Sequence, residues 1–147
     1  MTTQQDSQRE HRIVVGVDGS ASSKAALAWA VRQAGLTGAA VDVVTAWEFP
    51  SFFPAPWPPD LGGDWKELAQ RVAAEAVAEL PDSARRAEIR TRVGEGNAAQ
   101  VLLDASDGAD LLVVGSRGHG GFAEALLGST GQHCVHHATC PVVVIRH

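Results

Sequence analysis

Apolar residues fall in short runs separated by amphipathic stretches, and the two kinds of segment alternate along the chain. Ile13-Val-Val-Gly-Val17 is an apolar run closed by Asp18-Gly-Ser20, which predicts a buried strand and a turn. Ser20 or Ser22 can cap the helix that follows, in which Leu27, Ala28, Val31 and Ala34 recur at helical spacing, with Gly35 as its stop. Val41 to Trp47 reads as a second strand. Trp65, Ala69, Val72, Ala76 and Leu80 make one face of a long helix that Pro81 ends, and Asp64 with Glu67 resembles a capping box at its start. Ile89, Thr91 and Val93 alternate with Glu88, Arg90 and Arg92, the pattern of a strand with one wet face. Asn97 with Gln100 opens a third helix through about Ala105. Leu111-Leu-Val-Val114 is apolar throughout and predicts a strand buried on both faces. Ser129 to about Ala138 forms a fourth helix, and Val142-Val-Val-Ile145 a final strand.

Strands alternating with helices predict an α/β fold, a parallel sheet covered on both sides. Strands one and four are wholly apolar and belong in its centre, whereas the alternating third strand belongs at an edge. Residues 48–63 interrupt the pattern: five prolines (Pro50, Pro54, Pro56, Pro58, Pro59) exclude regular structure, with Phe49, Phe52, Phe53 and Trp57 among them. A packed covering loop is the simplest reading; a lid over a crevice and a polyproline docking strip are the alternatives.

The chemistry concentrates after the fourth strand. Gly115 breaks the run, Gly118, Gly120 and Gly121 follow in a loop, and Gly128-Ser129-Thr130 opens the next helix. Glycines let a ligand approach the main chain and turn N–H groups towards it. Hydroxyls at a helix start bond an anion beside the first-turn amides and the positive end of the helix dipole. The arrangement suits a phosphate. Arg117 could neutralise its charge or simply be solvated, and His119 is a weaker candidate of the same kind. Asp18 either caps its own turn or reaches a ligand or a bound magnesium ion.

Composition narrows the choice further. The 147 residues fit one domain, taken as 12–147 behind a polar tail, 1–11. The net charge of −5 and the lack of a basic block argue against nucleic acid as a partner. Apolar runs are strand-length, so no membrane span is expected, and without an apolar h-region a cytoplasmic location is. Two cysteines, Cys134 and Cys140, fit a reduced protein. They lie with His133, His136 and His137 in a cluster that raises zinc, but the spacing is not that of a finger, and no metal site is assigned. No P-loop, no G-x-G-x-x-G after the first strand, and no nucleophile beside a general base is evident, so no catalytic residue is assigned.

Gly115, Gly118 and Gly128-Ser129 match the spacing G-x2-G-x9-G-[S/T] of the nucleotide-binding branch of the universal stress protein family. Ile13 to Ser20 is similar to that family's first strand and turn, and Cys140 to Arg146 to its last strand. The resemblance implies an open, Rossmann-like, five-stranded parallel sheet in the order 3-2-1-4-5, whose switch point lies between strands one and four. It implies ATP, optionally with magnesium, over residues 115–130, with Ser129 and Thr130 on phosphate oxygens. Gly16, Val17 and Ala46 match positions lining the adenine pocket, and Asp18 a nucleotide contact. Gly131 stands where the family often has another Ser or Thr, a departure that removes one hydroxyl and bears on affinity rather than on binding itself. Strand five, apolar on both faces, would be an unprotected edge, and the family commonly dimerises through it. The expectation is a homodimer through Val142–Ile145 that binds ATP as a stress-response sensor or regulator for an unknown protein partner. Slow ATP hydrolysis or phosphoryl transfer, and an interaction module without nucleotide, are the alternatives.

Overall fold

The computed structural model describes residues 10–48, 64–117 and 128–146. Five strands, β1 (Arg12–Gly16), β2 (Ala40–Trp47), β3 (Ile89–Glu95), β4 (Leu111–Gly115) and β5 (Val142–Ile145), form one sheet in the order β3-β2-β1-β4-β5. Every neighbouring pair is parallel, with Val15 beside Val43 on one side and Val113 on the other. Four α-helices accompany them among the described residues: α1 (Ala21–Thr37), α2 (Asp64–Ala78), α3 (Ala98–Ser106) and α4 (Ser129–His137).

The period of two along each strand divides the core between the faces. Ile13, Val15, Val41, Val43 and Val113 pack against Leu27, Val31 and Ala34 of α1 and Ala73 and Ala76 of α2. Val14, Val44, Leu112 and Val114 pack against Ala99 and Leu102 of α3 and Cys134 of α4. Each fully buried Val or Leu contributes about 1.5–3 kcal/mol. The central strands are apolar because both of their faces are covered.

Three details depart from the sequence pattern. Helix α1 passes through Gly35 and ends at Thr37; its C-cap is Gly38, left-handed at φ 81°, whose N–H donates to the Ala34 carbonyl. The left-handed cap selects the glycine, and Gly35 lies in the helix with open space around it. Alanine should therefore act oppositely at the two sites. Gly35→Ala is expected to stabilise by about 0.5–1 kcal/mol through helix propensity. Gly38→Ala should cost about 1–2 kcal/mol through left-handed strain. Thermal melts of the two variants should move in opposite directions. Second, α2 stops at Ala78, short of Pro81, and a short 3-10 turn, Asp82–Arg86, follows. The Asp64 side chain, and with it the capping box, lies outside the described residues, as does segment 49–63.

The third departure concerns β3. Arg90 and Arg92 occupy its polar face, yet they cover a carboxylate rather than simply meeting water. Asp42 of β2 is completely buried, with Arg90 Nε at 2.7 Å, Arg92 Nη2 at 2.9 Å and Arg12 Nη1 at 3.3 Å. Burial pushes the Asp42 carboxyl up, but the hydrogen bonds and positive charge of Arg90 and Arg92 outweigh it and hold it below its ordinary value. Arg12 also donates to the Ala105 and Asp107 carbonyls at the end of α3 (2.8 and 2.6 Å), tying that helix to β1. Glu10 pairs with Arg90 at 2.6 Å and the His11 carbonyl accepts from Ala40 N–H, so these two residues are tied to the sheet.

Candidate functional site

The chain leaves β1 for α1 on one face of the sheet and leaves β4 towards α4 on the other, so the carboxyl ends of β1 and β4 open into a crevice. A cleft of about 260 Å³ lies there. The strand ends contribute Gly16, Val17, Val44, Ala46, Val114 and Gly115. The start of α1 contributes Asp18 and Ser23, α3 contributes Ala98 and Leu102, and the start of α4 contributes Gly128, Ser129, Thr130 and Gly131, with Arg117 beside them. Nine of the sequence-derived candidates thus meet in one place: Gly16, Val17, Asp18, Ala46, Gly115, Arg117, Gly128, Ser129 and Thr130. Gly118 and His119 lie outside the described residues.

Hydrogen bonds hold the two arms of the glycine segment together. Gly128 N–H donates to the Ser116 carbonyl at 2.7 Å, and Ser116 N–H to the Ile145 carbonyl at 2.9 Å. The start of α4 is therefore fixed beside the end of β4. Its N-cap is Gly128, which brings no side-chain acceptor, and no acidic residue stands in its first turn. First-turn amides have no partner within a helix, so this end presents N–H groups and a positive dipole to the cleft.

The α1 end is organised differently. Ser20 caps it, its side chain accepting from Ser23 N–H, and Ser23 Oγ accepts from Asp18 N–H at 3.3 Å. Asp18 Oδ1 accepts from Ser20 N–H at 2.9 Å, while the residue remains exposed on the cleft wall. Capping its own turn and facing the cleft are thus compatible roles for Asp18. Thr45 Oγ1 donates to the Val17 carbonyl at 2.8 Å and ties the end of β1 to β2.

Two glycines read from sequence as points of ligand approach have packing reasons of their own. A Cβ on Gly115 would stand 2.7 and 2.8 Å from the carbonyl carbon and oxygen of Ser22, so α1 rests directly on that residue. Ser22 is buried there and its Oγ accepts from Arg117 N–H at 3.3 Å. A Cβ on Gly16 would meet the Leu102 side chain at 2.7 Å.

Ser23, Val44, Ala98, Leu102, Val114 and Gly131 line the cleft without having been singled out as binding residues. Two of them carried a signal. Val44 lies two residues before Ala46, and Leu102 four after Ala98, the spacings that put side chains on one face of a strand or helix. Gly131, read as a missing hydroxyl, is buried. Burial pushes the Cys134 thiol up to about 11, and Cys140 is raised by burial too, so neither is an activated thiolate.

Residues 10–146 match the Universal stress protein family. The chain belongs to the universal stress protein family. A universal stress protein of Mycolicibacterium smegmatis is 36% identical over 146 residues, covering 93% of this chain and 48% of the relative. The chain spans about half the length of the curated relatives it matches. Among solved structures, universal stress protein UspA from Lactobacillus plantarum superposes with a TM-score of 0.75 at 26% identity, covering 94% of this chain and 99% of that one. A universal stress protein in complex with cAMP superposes at 0.67 with 27% identity, covering 94% and 98%. In this universal stress protein, no helix among the described residues is long and apolar enough to cross a membrane.

Proposed function

We propose that the cleft binds an adenine nucleotide, with ATP as the ligand implied by the resemblance to the family's nucleotide-binding branch, and that the protein acts in the cytoplasm as a dimeric sensor or regulator in stress response. The observation that carries this reading is the meeting, at the switch point of the sheet, of a glycine-capped helix start with small residues at the strand ends. The Ser129 and Thr130 hydroxyls and the first-turn amides of α4 take the phosphates, and the Arg117 guanidinium offsets their charge. Gly16, Val17 and Ala46, with Val44 and Leu102 beside them, give the base an apolar berth. Asp18 is the carboxylate available to a ribose hydroxyl or to magnesium arriving with the phosphates. Gly118 remains assigned to the phosphate side by the glycine motif, and His119 as a weaker candidate of the same loop. The relative in complex with cAMP supports an adenine ligand.

Mass spectrometry of small molecules released from denatured protein tests the ligand class. An adenine nucleotide in near-stoichiometric amount is expected; protein free of nucleotide that also fails to take up added ATP would leave the interaction-module reading. Turnover of ATP that is lost in Asp18→Ala with binding retained would instead move the protein into the enzyme class.

The dimer rests on β5, an edge strand whose four residues are only half-buried and carry no charge. Pairing with a second copy would cover it, and ATP would alter the dimer only as far as it prefers one conformation. Sedimentation at micromolar concentration should give twice the 15.4 kDa of one chain; a monomer would refute the dimer.

A further inference from the structure

A groove of about 450 Å³ runs between the C-terminal half of α1 and the turn that follows α2. Val31, Arg32, Gly35 and Leu36 of α1 line one side, and Leu80 and Arg86 the other. It shares no residue with the cleft, which lies at the opposite end of α1. We infer that this groove docks an acidic segment of a partner protein, an amphipathic stretch that lays bulky apolar side chains between the two arginines and sets carboxylates against them. Docking there is independent of what the cleft binds.

The apolar part of the surface has two components. Val31 and Leu80 belong to the core and form the floor. Leu36 stands one turn beyond Arg32 on the same face of α1 and is 83% exposed. Beside it Gly35 leaves a notch, since a Cβ there would meet nothing within 4 Å. Glycine is a poor helix former, so the chain forgoes helix stability at a position whose space it does not fill itself. A partner's side chain can fill it, approaching the α1 main chain as closely as a glycine permits.

The arginines decide what kind of segment fits. Among the described residues Arg12, Arg90, Arg92 and Lys24 are each paired with a carboxylate, whereas Arg32 and Arg86 have no such partner. Both are exposed, on a chain whose net charge is −5. Glu79, next to Leu80 in sequence, is taken by Lys24 at 3.1 Å, and Asp82 lies outside the groove lining. Guanidinium groups at the rim select carboxylates through paired hydrogen bonds and disfavour a basic occupant. Apolar contact on the floor then supplies affinity, and the rim charges supply orientation and association rate. An amphipathic segment laid into an apolar groove is a common mode of peptide recognition.

A random-peptide phage library selected on the tag-free full chain, after depletion on an Arg32→Glu, Arg86→Glu double variant, tests this. Surviving peptides should combine Asp or Glu with Leu, Ile or an aromatic residue. Made synthetically, the strongest of them should bind the natural chain with an affinity that falls as salt rises, and should bind the double variant more weakly by about tenfold or more. Gly35→Gln, which fills the notch without adding charge, should weaken the same peptide by about tenfold while the melting temperature holds or rises. All three positions are exposed, so the variants should fold, which thermal melts check. No surviving peptide, survivors that lack carboxylates or bulky apolar residues, or equal affinity in Gly35→Gln would overturn the assignment. So would a change in sedimentation of the variants without peptide, which would make this face a contact between copies of the chain.

Discussion

Asp42→Ala should lower the unfolding free energy by about 3 kcal/mol, the scale on which a buried ion pair broken from one side destabilises a protein. For a domain of this size that is a fall of about 10 °C in melting temperature. The carboxylate is the common acceptor for Arg12, Arg90 and Arg92, and its removal leaves three guanidinium groups around an apolar hole. Arg90 and Arg92 are partly solvated and can turn outwards, which keeps the cost at the low end of the range. Acid should act through the same group. Its folded-state pKa is depressed, so the stability it supplies is present above the unfolded carboxylate's pKa, about 3.9, and is lost as pH falls through the lower folded value. Denaturant melts of the natural protein should therefore lose stability on acidification below about pH 4, and Asp42→Asn should remove this group's share of that slope.

The second large effect is expected at Gly115. Alanine there sets a methyl group against Ser22 main chain, which cannot rotate away as a side chain can. Relief requires α1 to lift from β4, and overpacking of this kind costs about 1–3 kcal/mol. The lift also moves Ser22, whose Oγ accepts from Arg117 N–H, so nucleotide affinity should fall together with stability. Gly16→Ala makes the instructive comparison. Its methyl group meets the flexible Leu102 side chain, so the fold should suffer less, while Leu102 is displaced at the cleft. Chemical denaturation and ATP titration of both variants check this: Gly115→Ala should be the less stable of the two.

Much of the architecture was legible because burial on two faces leaves a plain mark. Leu111 to Val114 is apolar without interruption since helices cover both sides of β4, and the alternation in β3 reports its edge position. The cleft was legible in part for a topological reason: Asp18 and Gly115 are about a hundred residues apart in sequence, but they lie at the carboxyl ends of strands that neighbour each other at the switch point. What escaped was set by tertiary neighbours. Asp42 interrupts an otherwise apolar strand, and only the pairing of β2 with β3 brings Arg90 and Arg92 to it. Gly35 and Gly38 are equivalent as sequence punctuation, and the left-handed backbone distinguishes them. The role of Gly115 against Ser22 depends on where α1 lies, which local spacing does not encode.

The claim most exposed to test is that the start of α4 receives phosphate. Ser129 is exposed in the first turn of that helix, so a glutamate there should favour the helix dipole while setting a negative charge in the cleft. Calorimetric titration with ATP should show one nucleotide per natural chain. In Ser129→Glu the affinity should fall by at least about tenfold, or about 1.4 kcal/mol, with the melting temperature unchanged or raised. ATP bound with equal affinity by the folded variant, or not bound by the natural chain, would contradict it.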